Sequence, residues 1–186
     1  MNAKMARILS LSRALGARLR FWAFGGSSAG RYLGVSIGSD CRIHTCYFGS
    51  EPWLIRIGNR VTITSGVQLL THDGSTCLAT DDKGRRYHFA PIEIGDDLFI
   101  GIRAILMPGV RVGDRCVIGA GSVVTRSVPS GCVVAGSPAR IVGRFDDLMQ
   151  SNLVNRPCAA DMKGRTYRER IDSVLDGFRP EMSSSN

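Results

Sequence analysis

An all-β solenoid with an N-terminal helix and a partly helical C-terminal tail is what this 186-residue sequence predicts. Three observations lead there. From Ile94 to Val128 the chain runs in sixes, with Ile94, Ile100, Leu106, Val112, Ile118 and Val124 in first place and Leu98, Ala104, Val110, Cys116, Ser122 and Val128 in fifth. A less regular version of the same period occupies residues 37–69, and one polar interruption, residues 71–91, separates the two. A period of six fits neither an amphipathic helix nor a lone alternating strand, so it marks a structural repeat. Each hexad is too short to bury itself, and stability must come from stacking turn on turn. A β-sandwich with glycine turns would not hold so fixed a spacing.

The first segment, residues 1–34, carries Met5, Ile8, Leu9, Leu15, Leu19 and Trp22 near helical spacing, and Lys4, Arg7, Arg13, Arg18, Arg20 and Arg31 all precede the first acid, Asp40. Such a basic amphipathic helix either packs on one end of the coil or lies on an anionic membrane surface. Gly25-Gly26-Ser27-Ser28 reads as a flexible link into the coil. Arginines interrupt each apolar stretch, so a signal peptide is not expected, and no apolar run approaches the roughly 18 residues that would span a bilayer.

The coil itself is expected over residues 35–144. Ile37-Gly38 with Cys41, and Ile43 with Tyr47, make two hexads. Gly49–Leu54, holding Pro52 and Trp53, breaks the register, and Ile57-Gly58 with Val61, Ile63 with Val67, and Leu69 resume it. The first-place residues then group in threes, 57/63/69, 94/100/106 and 112/118/124, which predicts a triangular prism of about four turns. Glycines in second place, among them Gly58, Gly95, Gly101, Gly113 and Gly119, are expected at corners whose dihedrals exclude other residues. The excursion at 71–91 leaves at His72 and returns at Pro91. A long polar loop inside a compact repeat is usually functional, and this one is placed to wall a cleft. Val133-Val134 can add a closing strand. Residues 145–186 form the tail, with a partly helical pattern over 161–176 (Tyr167, Ile171, Val174, Leu175) and a Ser-rich end expected to be disordered.

The formal charge of +8 suits anionic partners such as phosphates or a membrane surface. The aromatic-rich basic motifs of nucleic-acid modules are missing, so nucleic acid is not an expected partner. Of the six cysteines, Cys41 and Cys116 fall in the inward fifth place, and the chain has no CxxC pair. They read as small buried hydrophobes of a reducing cytosol, which points to a cytoplasmic protein with peripheral contact at the inner membrane face through its first helix.

With the hexads, the THDG of residues 71–74 and the VVAGSPAR of residues 133–140 in place, the chain resembles the hexapeptide-repeat acyltransferases. The branch is that of the maltose, galactoside and O-antigen or capsule O-acetyltransferases. The string PIEIGDDLFIGIRAILMPGVRVGDRCVIGAGSVVTRSVPSGCVVAGSPARIV carries the match, which covers about residues 35–144. The resemblance implies a left-handed parallel β-helix, an exception to right-handed crossovers. It also implies a homotrimer that binds acetyl-CoA in grooves between neighbouring subunits.

The family's catalytic base is a histidine beside the excursion, a place His72 occupies. A sugar hydroxyl is a poor nucleophile until a base takes its proton during attack on the thioester carbonyl. A neutral imidazole with a free pKa of about 6.5 suits that step. Asp73 is a candidate to accept from His72 Nδ1–H, to form a turn before Gly74, or to contact the acceptor sugar. His44 aligns with the acceptor-binding asparagine of the galactoside branch, a departure that argues against maltose and galactoside as substrates. His88 reads as loop surface. Carried across by position, the family's CoA contacts fall on Ile102, Ala120, Thr125, Arg126 and Arg140. The two arginines offer bidentate, charge-assisted bonds to phosphate.

Other readings are weaker. A γ-type carbonic anhydrase shares the coil but needs three zinc-binding histidines, and His44, His72 and His88 contain no close pair, so no metal is expected. Cys77 has no evident base to support an acyl-enzyme. A non-catalytic solenoid binding module is the remaining alternative. The sequence thus predicts an acetyl-CoA-dependent O-acetyltransferase that modifies a sugar in surface-polysaccharide or lipopolysaccharide synthesis.

Overall fold

Strands of two to six residues build three mainly parallel sheets, which the chain visits in rotation. The computed structural model describes residues 3–177. The first sheet stacks Ser36–Ile37, Ile55–Ile57, Ile92–Ile94 and Arg111–Val112. The second stacks Arg42–Ile43, Thr62–Ile63, Phe99–Ile100, Val117–Ile118 and Cys132–Gly136, closed by the antiparallel strand Ala139–Arg144. The third holds Gln68–Leu69, Ile105–Leu106 and Val123–Val124. The register shows that successive hexads fall in the three sheets in turn. Ile57 pairs with Ile94 and Ile94 with Val112, Ile63 with Ile100 and Ile100 with Ile118, and Leu69 with Leu106 and Leu106 with Val124. Val134 continues the second column beneath Ile118, as the closing-strand pattern predicts.

The two inward columns form one continuous core. From Ile57 onward the first-place residues are at most 4% exposed, and the fifth-place side chains from Val61 to Cys116 are at most 3% exposed. Burying an aliphatic side chain of this size contributes about 1.5–3 kcal/mol, so the stacked short strands draw their stability from many similar increments. Ser122 is the polar member of its column. It is fully buried, and its hydroxyl accepts from Gly136 N–H at 3.2 Å.

Four details differ from the sequence expectations. Tyr47 is 63% exposed and does not fill the fifth place; Phe48, at 1%, turns inward in its stead. The cause is local, because Thr45 is itself buried and donates to Val67 O at 3.1 Å, shifting the next inward side chain by one residue. Cys41 is only half buried, while Cys116 is fully buried. The second-place glycines do not serve dihedrals. A Cβ on Gly58 would lie 2.5 Å from Gly95 O, and one on Gly101 2.5 Å from Ala120 N, so glycine lets successive turns approach. The left-handed backbone falls two residues later instead, at Asp40, Arg60, Asp97, Arg103 and Arg115.

The remaining difference is at the N-terminus. Gly25–Ser28 is not a flexible link: helix α1 runs from Ala3 to Leu33 with a kink at Gly25. Beyond the kink it caps the first turn, where Ala29 is fully buried and a Cβ on Gly26 would meet Ile43 O at 2.2 Å. Before the kink, Ala17 is buried, while Leu15 (61%), Leu19 (63%) and Trp22 (87%) are exposed. The side chains of Met5, Ile8 and Leu9, and the Ser-rich end, lie outside the described residues. No described helix is long and apolar enough to cross a membrane.

Corner side chains add a hydrogen-bond ladder between turns. Ser39 N–H donates to Asn59 Oδ1, Asn59 N–H to Asp96 Oδ1, Asp96 N–H to Asp114 Oδ1 and Asp114 N–H to Ser130 Oγ, all at 2.8–3.0 Å. The corner amides of Ser39, Asn59, Asp96 and Asp114 are thereby paired. The chain divides into two compact units at Asp146/Asp147. Helix α2 covers Phe145–Asn155, and helix α3 covers Tyr167–Asp172, which starts at a capping box formed by Thr166 and Glu169.

Candidate active site

The interruption at 71–91 folds as a braced wall. It opens with a short 3₁₀ turn, Gly74–Leu78, and continues into a hairpin of Thr80–Asp81 and Gly84–Arg85. Its return strand pairs with its departure: Asp73 N–H donates to His88 O at 3.0 Å, and Ala90 N–H to Thr71 O at 2.9 Å. These bonds bracket His72, whose backbone faces Phe89 across an antiparallel bridge. The base candidate is therefore fixed from both sides.

The imidazole has a partner that sequence reading missed. His72 Nδ1 lies 2.9 Å from Glu51 Oε2, and the same oxygen accepts from Thr71 Oγ1 at 2.7 Å. Glu51 comes from the register break, where buried Pro52 opens a short 3₁₀ turn and ends the hexad pattern. Its side chain is only 15% exposed, against 42% for His72. Burial alone pushes the Glu51 carboxyl up, but the hydrogen bonds from Thr71 and His72 and the imidazole charge together outweigh it. The carboxyl ends below its ordinary value. An ionised Glu51 only accepts, so a neutral imidazole bonded to it donates from Nδ1 and keeps its lone pair on Nε2. That is the tautomer a general base needs.

Asp73 does not hold the imidazole. Its Oδ1 accepts from Ser75 N–H at 2.9 Å and caps the 3₁₀ turn, which holds its carboxyl below the usual range. It still lines the same cleft of about 180 Å³, with His72, Thr76, Arg85, Tyr87 and Phe89. His88, exposed, also borders this cleft.

The other sequence-chosen residues fall on distinct corners. Arg126 and Arg140 line one cavity of about 320 Å³ with Ser127 and Pro129, and Thr125 is exposed immediately before Arg126. Ile102 and exposed Ala120 stack on the corner between the second and third sheets, where Gly121 N–H donates to Ile102 O at 2.8 Å. His44 sits at the start of that corner two turns before Ile102, with its N–H on Ile63 O at 2.8 Å. His72, Thr125 and Arg126 instead follow third-sheet strands. His44 is not among the residues that line the His72 cleft. Among the described residues no group of three or more His, Cys, Asp or Glu side chains is arranged to hold a metal ion, and Cys77 is exposed in the 3₁₀ turn.

Comparison with known proteins agrees with this architecture. The family described as the hexapeptide repeat of succinyl-transferase matches residues 91–126. Protein CapG of Staphylococcus aureus is 41% identical over 152 residues, covering 80% of this chain and 87% of its own length. Galactoside O-acetyltransferase of Escherichia coli K12 is 33% identical over 118 residues, 60% of this chain and 58% of that relative. Among solved structures, a hexapeptide-repeat-containing acetyltransferase of Vibrio cholerae, complexed with acetyl-coenzyme A, superposes with a TM-score of 0.52 at 26% identity. The match covers 78% of this chain and 92% of that one.

Proposed function

Because the chain belongs to the hexapeptide-repeat acetyltransferases, we propose that it transfers an acetyl group from acetyl-CoA to a sugar hydroxyl, with His72 as general base. The observation that carries the reading is the Glu51–His72 pair at 2.9 Å, a tautomer-fixed imidazole on the rim of a cleft. The named relatives support the acceptor class, since one is a galactoside O-acetyltransferase. The neighbour solved with acetyl-coenzyme A supports the donor. Surface-polysaccharide or lipopolysaccharide synthesis is the setting in which such a sugar acceptor is proposed to arise.

The chemistry balances with the chain's own groups. The acceptor hydroxyl oxygen attacks the thioester carbonyl carbon while His72 Nε2 takes its proton. Such a base contributes roughly 10²–10⁴-fold. The carbon–sulfur bond then breaks, and the departing thiolate recovers the proton from the imidazolium. Glu51 stabilises that imidazolium without itself taking the proton. Holding both substrates in one cleft lowers the barrier further by removing the entropy of encounter.

The reading places the coil as a left-handed parallel β-helix assembled as a homotrimer. Ile102, Ala120 and His44 share one corner while His72, Thr125 and Arg126 share another, so a donor touching both sets needs two subunits. In that arrangement Arg126 and Arg140 hold the CoA phosphates, and His44 and Asp73 contact the acceptor. A cytoplasmic location with peripheral membrane contact is also proposed. The exposed Leu15, Leu19 and Trp22 lie on one helical face, beside arginines and without a single acid before Asp40.

The test is release of free CoA thiol from acetyl-CoA in the presence of nucleotide sugars and polysaccharide fragments, with mass analysis of the acceptor. Thiol release matched by a gain of one acetyl group supports the reading. A protein that binds these saccharides and never acetylates one is a binding module instead.

A further inference from the structure

We infer that the exposed aromatic edge of the excursion is the binding platform for an acceptor that is an anionic saccharide longer than one ring. This rests on the acetyltransferase reading and adds the substrate's charge and length. Arg85, Tyr87, Phe89 and His72 form a ladder. The Arg85 guanidinium carbon lies 4.4 Å from the centre of the Tyr87 ring. Tyr87 and Phe89 stack with centroids 6.1 Å apart and planes 11° from parallel. Phe89 lies 6.0 Å from the His72 ring, tilted by 58°.

Several features mark the ladder as a surface built for a ligand. Tyr87 and Phe89 are 63% and 53% exposed, although ring area of this size is normally driven inside. Alternate residues of an extended strand share a face, which is why 85, 87 and 89 align. The strand is braced: Arg86 N–H donates to Ala79 O at 2.9 Å, and the Arg86 side chain pairs with Asp81. The two arginines therefore differ. Arg86 is neutralised, whereas among the described residues no carboxylate forms an ion pair with Arg85, whose contact is the Tyr87 ring.

A pyranose presents a face of C–H groups that packs on aromatic surface, and the Phe89 ring with the part of Tyr87 that Arg85 leaves uncovered suits successive sugar units. A cation at the far end adds attraction for a carboxylate or a phosphate. The charge recognised is two aromatic rings away from the base. The acetylated hydroxyl and the anionic group thus lie on different parts of the acceptor, and a neutral monosaccharide fills only the His72 end.

The test uses the full-length protein at saturating acetyl-CoA. The acceptors are uronate oligosaccharides, phosphodiester-linked sugar oligomers, neutral oligosaccharides of matched length and their monosaccharides. Anionic oligomers are expected to exceed neutral ones in kcat/KM by about tenfold, the effect of one charge-assisted contact. Comparing the uronate and phosphodiester series identifies which anion is read. Arg85→Ala should erase the preference. Tyr87→Ala should raise KM for oligomers about tenfold by removing one packed ring face, a larger rise than for the monosaccharides.

Equal KM values for wild type and both variants on each acceptor would overturn the platform, as would a preference for neutral oligomers. Direct binding of the same oligomers, followed by calorimetry, separates the two levels. Binding that depends on Tyr87 and Arg85 without acetylation removes the reaction and keeps the platform. Acetylation of saccharides indifferent to both side chains does the reverse.

Discussion

Glu51 offers a sharp perturbation because its carboxylate oxygen is bonded to His72 Nδ1 at 2.9 Å. Glu51→Gln keeps the shape and an oxygen for Thr71, but replaces a charge-assisted bond by a neutral one. Glu51→Ala removes both. Hydrogen bonds to an ionised carboxylate contribute about 1.5–3 kcal/mol. At about 1.4 kcal/mol per tenfold in rate, losing the tautomer-fixing bond should lower kcat roughly 10- to 100-fold. The glutamine variant should fall near the small end and the alanine variant near the large end, both with an unchanged KM for acetyl-CoA. Stopped-time thiol-release kinetics give the rates, and nitrogen chemical shifts of the imidazole report the tautomer. Wild type should carry the proton on Nδ1, and Glu51→Ala should populate both forms. A Glu51→Ala enzyme with wild-type kcat, or one whose imidazole tautomer is unchanged, would refute the positioning role.

The same pair predicts a pH dependence of stability. The Glu51 carboxyl has a lower pKa folded than unfolded, where the ordinary value is 4.5. Its contribution is therefore complete above that value and is lost as pH falls through the folded one. The stability gap between wild type and Glu51→Gln, read from urea unfolding, should be constant near neutrality and shrink in acid. A gap that widens on acidification would contradict the sign.

Other predictions follow from packing and charge. Gly58→Ala forces a Cβ to within 2.2 Å of Asp96 Oδ1 and 2.5 Å of Gly95 O. It should cost about 1–3 kcal/mol in chemical denaturation, and an unchanged midpoint would show that the turns can separate freely. Arg126→Ala and Arg140→Ala should each raise KM for acetyl-CoA about tenfold with kcat preserved, as expected for phosphate contacts made equally in ground and transition states. Replacing Leu15, Leu19 and Trp22 together by Ser should abolish co-sedimentation with anionic liposomes. If wild type itself does not co-sediment, the membrane contact is wrong, and analytical ultracentrifugation then tests whether the stripe joins copies of the chain.

The parallel strand pairing was readable from sequence because each hexad repeats the same physical demand: one large aliphatic, one small or branched residue and a tight approach between turns. Hence 57/63/69, 94/100/106 and 112/118/124 predicted the pairings found. What escaped was set by tertiary contact. Phe48 replaces Tyr47 in the core because Thr45 bonds to the next turn. Gly26 is helical because only glycine fits against Ile43 O. His72 was legible because its motif sits where the repeat stops. Glu51 was not, since it lies 21 residues upstream in a stretch defined by losing the pattern. The break at Pro52 is what brings it there. The stacking of Tyr87 and Phe89 beside His72 was not read from sequence, because it is set by the return of the hairpin.

The central claim is that His72 removes the acceptor proton, and one pair of measurements on His72→Ala tests it. Turnover should fall by at least about 10² while the Kd for acetyl-CoA stays within a few fold of wild type. Undiminished turnover in that variant would contradict the account.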